Sequence, residues 1–321
     1  MNYIYLFSQF PLIFAVQTTL HTIIAAIIVE WVLIYWNIKN PMWYQNFLAV
    51  VIIFPPLTFF LYLLINPEIY LFNLNHKYIF QSYHWIYLKI NNFYPFALLI
   101  IVIFILMTCF FFIQEIFPIL FFLINKNKKQ PLVVATNLPT LRKALADINL
   151  KENYQLNVID ETDYIVYSQT GKINNIYISI GVIEKLNIEQ LKGIILHEVA
   201  HIERNKKNYI LILYILRVIS FFNPIILYEF RRLLQEEEKI CDLLASKQIS
   251  SKRTLADALY ILYIKDRKKY VKATNFNEYS AYYNIKKRIR ALRIMENDDN
   301  NYYTLLAITI MLISLINYFV V

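Results

Sequence analysis

The chain is 321 residues long, with 58% hydrophobic and only 17% charged residues. Soluble globular domains carry about 25% charged residues, so this composition excludes an ordinary soluble globule and predicts that part of the chain lies in a lipid bilayer. The formal net charge of +9 is clustered beside apolar runs, without the basic and aromatic motifs of nucleic-acid-binding modules, so direct nucleic-acid binding is not expected.

Four apolar runs have about the 20 residues that a helix needs to cross a bilayer. They cover residues 12–36, 45–66, 95–124 and 302–321. The first run lacks the basic start and the cleavage site of a secretory signal, so we expect it to be retained. We therefore predict three transmembrane helices in 1–124 and a C-terminal one in 301–321. Polar residues inside the first run indicate a functional role or, for Glu30, a position near the interface. They are Gln17, Thr18, Thr19, His21 and Glu30.

Basic residues flank the third and fourth apolar runs. One cluster, at 126–129, follows the third run, and another, at 286–293, precedes the fourth. Because such clusters concentrate on the cytoplasmic side of membrane proteins, residues 125–300 are predicted to be cytoplasmic. The predicted localisation is therefore a multi-pass protein of the cell membrane, with residues 67–94 forming an outer loop.

The predicted cytoplasmic region combines short strands with helices. The strands cover 131–136, 156–159 and 174–180, and a helix covers 141–148. A second helix is predicted to begin at Asn187, because Asn187 and Gln190 have the spacing of a capping box. Only three glycines occur in the chain, so a phosphate-binding glycine loop is not expected.

This second helix contains the sequence His-Glu-Val-Ala-His at 197–201. Residues four apart lie on the same face of a helix, so His197 and His201 can bind one zinc ion. Glu198 is then placed to act as the general base on the attacking water, as in metallopeptidases. The alternative is two ordinary surface histidines on an amphipathic helix.

A catalytic zinc site needs a third protein ligand, and the acidic run at 236–238 offers one. Glu238 and Asp242 are four residues apart on a predicted helix. Glu238 is therefore predicted to bind the metal, and Asp242 to accept a hydrogen bond from a ligand imidazole. Glu236 and Glu237 are expected to be solvated. Cys241 is expected to be a small half-buried residue.

An apolar stretch at 209–230 separates the histidines from Glu238. A single membrane crossing there would place Glu238 on the opposite side from His201. Asn223 and Pro224 interrupt the stretch and Arg217 lies in its middle. We therefore predict a membrane-apposed or re-entrant hairpin that brings Glu238 back to the zinc.

A series of further motifs accompanies the HEVAH helix. It consists of YISIG at 177–181, LNIEQL at 186–191, FFNP at 221–224, two arginines at 231–232 and EKICD at 238–242. In order and spacing these motifs resemble the BlaR/MecR family of membrane-bound zinc metallopeptidases, over about residues 125–300. The best-known members continue into an extracellular penicillin-binding sensor, whereas this sequence ends at Val321. Sensing of β-lactams by this polypeptide alone is therefore not expected.

The resemblance implies an α-helical membrane protein with a cytoplasmic α+β zincin-like metallopeptidase domain. In the family, zinc is bound by the residues that match His197, His201 and Glu238, with Glu198 as the base. The implied function is cleavage of the protein itself or of a transcriptional repressor in signalling. The expected partners are a protein or peptide substrate and the lipid bilayer, with a homodimer left open.

Three other functions remain open from the sequence. One is a quality-control protease of the HtpX or CAAX-processing type, and another is a non-catalytic signal transducer with a structural metal. The third is transport, prompted by the polar residues of the first apolar run. The strand at 174–180 is either an edge strand that binds an extended substrate or an ordinary core strand. Candidates for stabilising the oxyanion are Tyr228, Arg231, Arg232 and Arg288.

Overall fold

A computed structural model describes residues 3–65, 88, 90, 94–113, 117, 132–133, 139–146, 148, 153–265, 276–294 and 300–320. The chain divides into two compact units. The first unit comprises Met1–Lys126, Tyr209–Leu234 and Asp298–Val321, and the second comprises Asn127–Asn208 and Gln235–Asn297. The apolar stretch around 209–230 therefore belongs to the first unit, although the second unit flanks it in sequence.

The described residues are mostly helical. The helices are α1 (Tyr3–Tyr35), α2 (Pro41–Ile65), α3 (Pro95–Phe111), α4 (Pro139–Ala146), α5 (Ile180–Lys185), α6 (Ile188–Arg204), α7 (Lys207–Ile219), α8 (Pro224–Ser246), α9 (Lys252–Tyr260), α10 (Phe276–Ile294) and α11 (Tyr303–Phe319). The strands are β1 (Leu132–Val133), β2 (Tyr154–Ile159), β3 (Val166–Gln169) and β4 (Asn174–Ser179). A π-helical turn over Ile261–Lys265 follows α9.

Within the described ranges, two helical stretches are long and apolar enough to cross a membrane. By length and composition these are Ile13–Tyr35 in α1 and Pro41–Leu61 in α2. Shorter apolar helices cover Leu98–Phe111 and Tyr303–Phe319. The first two predicted spans thus have the necessary length. The fourth is a helix of 17 residues, at the lower end for a bilayer-spanning helix.

Some predictions fall on residues that the structure does not describe. The outer loop at 67–94 lies outside the described residues except for 88, 90 and 94, and the basic cluster at 126–129 lies wholly outside them. Most of the second half of the third predicted span is also outside the described ranges.

The core of the first unit is apolar, with a few buried polar side chains. Buried residues of α1 and α2, including Val29 and Phe47, pack with Leu213 of α7 and Phe230 of α8. His21 is fully buried, and its Nδ1 lies 3.2 Å from the Thr58 hydroxyl. Polar groups in an apolar core require such partners, because an unpaired one is costly.

The predicted break at Asn223 and Pro224 separates α7 from α8. The Asn223 side chain accepts a hydrogen bond from the Ile225 amide at 3.0 Å, and Pro224 begins the helix. This combination is a favourable helix start, because proline lacks only an amide hydrogen that the first turn would leave unpaired. The Asn223 amide also donates to the Thr22 hydroxyl at 3.0 Å, which ties the start of α8 to α1.

The second unit contains a four-stranded sheet in the order β1-β2-β4-β3. β2 and β4 are parallel, whereas β1 and β3 pair in antiparallel fashion with their neighbours. Isoleucines of β4, such as Ile176 and Ile178, form a core with Leu191 and Ile195 of α6 and with Leu255 of α9. Helix α6 is thereby fixed against the sheet on one face and against α9 on another.

The sheet confirms two predicted strands and corrects one interpretation. Strands were predicted at 156–159 and 174–180, and β2 and β4 cover these positions. The interpretation of 174–180 as an edge strand is wrong, because β4 pairs on both sides, with β2 and β3. The edge next to it is β3, which was not predicted. β3 has only four residues with alternating partial exposure, too short a pattern to distinguish from a loop.

Candidate metal centre

Helix α6 begins with the predicted capping box. Asn187 accepts a hydrogen bond from the Gln190 amide at 2.9 Å, and the Gln190 side chain accepts one from the Asn187 amide at 3.2 Å. The helix ends at Arg204, and the next residue, Asn205, has a left-handed backbone with a φ of 43°. Two turns of α6 between these caps carry His197, Glu198 and His201, on a helix whose other face is anchored in the core.

His197, His201 and Glu238 come together in the second unit. The two Nε2 atoms lie 3.1 Å apart. Glu238 oxygens lie 3.6 Å from Nε2 of His197 and 3.4 Å from Nε2 of His201. The Glu238 carboxylate of α8 therefore faces the side of α6 on which both imidazoles lie.

The spacing of the nitrogen and oxygen atoms of these three residues is compatible with a tetrahedral metal ion. Zinc bonds of 2.0–2.1 Å to nitrogen and oxygen place neighbouring ligand atoms about 3.3 Å apart in a tetrahedron. The two Nε2 atoms are 3.1 Å apart, His201 Nε2 is 3.4 Å from Oε1 of Glu238 and His197 Nε2 is 3.6 Å from Oε2. With one ligand atom taken from each residue, the three atoms lie within 4.8 Å of one another. Two imidazoles and one carboxylate also form a donor set typical of catalytic zinc, with a fourth position left for water. The residues present thus fit the metal that the motif predicts.

Asp242 and Arg288 surround this donor set. Nδ1 of His197 lies 2.9 Å from Asp242 Oδ1, the placement expected for a carboxylate that orients a ligand imidazole. Arg288 of α10 donates to both Asp242 oxygens at 2.7 Å, and its Nη1 lies 2.8 Å from Glu238. A single guanidinium therefore bridges two carboxylates of α8, those of Glu238 and Asp242.

These contacts shift the pKa values of the group. Burial lowers the pKa of His197, but the negative charge of Asp242 and the close approach of the Asp242 and Glu238 carboxylates raise it to about 9 overall. Burial raises the pKa of Glu238, whereas the neighbouring His197 and His201 rings and the charge of Arg288 bring it well below its ordinary value. Burial also raises the pKa of Asp242, but the charge and hydrogen bonds of Arg288, together with the neighbouring His197, lower this pKa overall. A metal at His197 must therefore displace a proton, so acid opposes binding.

Comparison with known proteins identifies the family. A family model described as BlaR1 peptidase M56 matches residues 84–292, a range that contains His197, His201, Glu238, Asp242 and Arg288. The chain belongs to the M56 peptidase family. The predicted resemblance to BlaR and MecR is thus confirmed. M56 peptidases are metallopeptidases, and family membership together with the two long apolar helices indicates membrane association. A comparison with curated proteins found no match.

Glu198 and Cys241 occupy different surroundings in this M56 peptidase. Glu198 directly follows His197 on α6. Its side chain is largely shielded from bulk water, because the residue is only 9% exposed. Cys241 was expected to be half-buried, but it is completely buried. Its sulfur lies 3.4 Å from Nδ1 of His201, and burial raises the pKa of its thiol.

The interpretation of Glu236 and Glu237 as a solvated run is wrong. Both are buried, and each is paired with a basic residue. Glu236 accepts from Lys239 at 2.6 Å, and Glu237 receives two hydrogen bonds from Arg204, at 2.7 and 2.8 Å. Charged runs are solvated unless the fold supplies partners, and Arg204, which is 33 positions away, could not be assigned to Glu237 from the sequence.

The four candidates for oxyanion stabilisation belong to different units of the chain. Tyr228, Arg231 and Arg232 belong to the first unit, whereas Arg288 belongs to the second and contacts Glu238. Its Nη2 is 3.5 Å from Nε2 of His197. The sequence ranked none of the four, because Arg288 and Asp242 are 46 positions apart.

Proposed function

We propose that the chain is a zinc-dependent endopeptidase. The observation that carries this proposal is the convergence of His197, His201 and Glu238, which can each offer one ligand atom within 4.8 Å of the other two. A structural zinc site uses four protein ligands, whereas two imidazoles and one carboxylate leave a position for water and substrate. Membership of a peptidase family supports the same conclusion.

Each residue has a distinct role in the proposed reaction. His197, His201 and Glu238 hold the zinc ion, and Asp242 fixes the tautomer of His197 through its Nδ1. When bound, zinc polarises the scissile carbonyl and makes water more acidic. Glu198 accepts the proton of the attacking water and returns it to the leaving amine.

The proposed setting is a multi-pass protein of the cell membrane with its active site on the cytoplasmic side. The two long apolar helices support membrane insertion, and the basic residues at 286–293 favour a cytoplasmic second unit. The substrate is then a cytosolic or membrane-proximal protein, such as a transcriptional repressor or the protein itself. The family match favours this regulatory role over quality control of membrane proteins.

Metal content and proteolysis of the purified full chain in detergent test the proposal. Wild type should contain about one zinc per chain and cleave casein or a co-expressed repressor. Glu198→Ala should keep the zinc but lose about 100-fold or more of the cleavage rate, because a general base contributes about 100- to 10,000-fold. Glu238→Ala should lose both zinc and cleavage.

Glu184→Ala provides the matched control, because Glu184 is an exposed acidic residue of the short helix α5. It should retain zinc and activity. Zinc without any cleavage that depends on Glu198 would contradict an enzymatic role and favour a structural metal. Absence of metal from the wild type would refute the site itself.

A further inference from the structure

The two histidines of the metal centre are supported by neighbouring residues of α8. Nδ1 of His197 faces Asp242 at 2.9 Å, and Nδ1 of His201 faces the sulfur of Cys241 at 3.4 Å. In each imidazole the other nitrogen, Nε2, points toward Glu238. The two rings therefore have the same arrangement, with Nε2 toward the metal position and Nδ1 toward α8.

Cys241 lies next to the buried ion pair between Arg204 and Glu237. Its sulfur lies 4.0 Å from Oε1 of Glu237, which is one helical turn earlier on α8. Arg204 binds both oxygens of Glu237 through two hydrogen bonds. Arg204 is three positions after His201 on α6, so this pair fixes α6 and α8 together beside the histidine. The sulfur is thus held close to Nδ1 by both helices.

His201, Glu237 and Cys241 also lie close enough together to hold a metal ion of their own. Two observations argue against that use. Both oxygens of Glu237 already accept hydrogen bonds from Arg204, whose positive charge would repel a second cation. His201 would also have to bind through Nδ1, on the side of the ring opposite Glu238. We therefore do not interpret His201, Glu237 and Cys241 as a second metal site. Glu237 and Cys241 instead hold the Nδ1 side of the His201 ring in place.

We propose that Cys241 is a positioning residue for His201, with its sulfur accepting a hydrogen bond from Nδ1–H. This inference rests on the proposed function, in which His201 binds zinc. A proton held on Nδ1 leaves the lone pair of Nε2 free for the metal, and a fixed Nδ1 partner also fixes the rotation of the ring. The two histidines then differ in their support, because His197 has a charged carboxylate and His201 a neutral, weakly accepting thiol.

The test compares substitutions of Cys241 by zinc competition with a chelator and by the visible spectrum of cobalt(II)-substituted full-length protein. Cys241→Ala removes the acceptor and should weaken zinc binding about 10-fold and change the cobalt bands. Cys241→Ser restores an acceptor and should recover most of the affinity. Cys241→Val keeps a buried side chain of similar size without an acceptor, so it should behave like Cys241→Ala and serves where the alanine variant does not fold.

Ile178→Val is the matched control, because it removes one methylene from the buried core of the same unit. It should lower thermal stability without changing zinc affinity or the cobalt spectrum. Unchanged affinity and spectrum in both Cys241→Ala and Cys241→Val would overturn the positioning role while leaving the proposed peptidase intact. A sulfur-to-cobalt charge-transfer band in the wild type would make Cys241 a ligand and would also overturn it. A wild type that binds no metal would refute both this role and the proposed function.

Discussion

Each unit holds an arginine between two carboxylates, but the neighbours of the two clusters differ. In the first unit, Arg232 of α8 pairs with Glu30 of α1 and with Glu229, whose oxygens lie 3.1 Å away. The other neighbours of this guanidinium are the rings of Tyr44 and Tyr228. These groups satisfy one another, and the cluster attaches α8 to α1 and α2.

In the second unit, Arg288 of α10 bridges Glu238 and Asp242 of α8. Here the same two carboxylates also face the imidazoles of His197 and His201. An arginine between two carboxylates therefore occurs in both units, but only the second cluster includes histidines among the described contacts. The two imidazole nitrogens, which can donate lone pairs, make the second cluster suitable for a metal.

The largest expected effect is that of Arg288→Met. This substitution leaves Asp242, whose side chain is only 2% exposed, without its cation, and the loss of one partner from a buried ion pair costs about 3–5 kcal/mol in the free energy of unfolding. Zinc should restore part of the stability, because a cation at Glu238 replaces some of the lost charge. Denaturant unfolding in detergent, with and without zinc, measures both effects. Equal destabilisation in the two conditions would contradict the link between Arg288 and the metal.

Arg232→Met should have a smaller effect, of about 2 kcal/mol on the free energy of unfolding, because the Glu30 side chain is 37% exposed and water can solvate it. The double variant Arg232→Met/Glu229→Gln should recover part of this loss, since it also removes the buried negative charge. Zinc affinity should stay within about twofold of the wild type, because separate clusters act independently. A tenfold loss of zinc affinity would show that the two clusters are coupled.

The smallest effect expected is that of Asp242→Asn, a loss of about 10-fold in zinc affinity at a pH where His197 is deprotonated. Removing the negative charge should also lower the pKa of His197 from about 9. The proton then competes less with zinc, so the pH below which zinc affinity begins to fall, the release pH, should move downward. Zinc affinity measured across a pH series tests this sign.

Asp257→Asn is the control for that series, because Asp257 is 52% exposed and pairs with Arg293 at 3.0 Å. It should leave both the affinity and its pH dependence unchanged. A release pH that does not move in Asp242→Asn would mean that Asp242 does not set the pKa of His197.

Local patterns in the sequence predicted features of both units. The capping box of α6, the positions of β2 and β4 and the break at Asn223 depend on residues within a few positions of one another. For the same reason the HEVAH motif and the spacing of Glu238 and Asp242 pointed to a shared metal site before the fold was known. Those features follow from helical periodicity, which the sequence carries directly.

Other features could not be predicted in this way. The partners Arg204 and Glu237 are 33 positions apart, and Cys241 and His201 are 40 apart. With 32 lysines and arginines in the chain, no local pattern selects Arg288 as the one that bridges Glu238 and Asp242. The sequence also could not show that β4 lies inside the sheet, because that position depends on its pairing with β3.

The sequence by itself determined the apolar helices, the capped helix α6 and the residue types of the metal site, because periodicity and capping are properties of neighbouring residues. Only the tertiary structure decided which partners surround those residues. Burial of Glu237, the contact of Cys241 with His201 and the bridge made by Arg288 all depend on how α6, α8 and α10 pack. Buried charges need a partner within hydrogen-bonding distance, and the fold decides which partner comes that close.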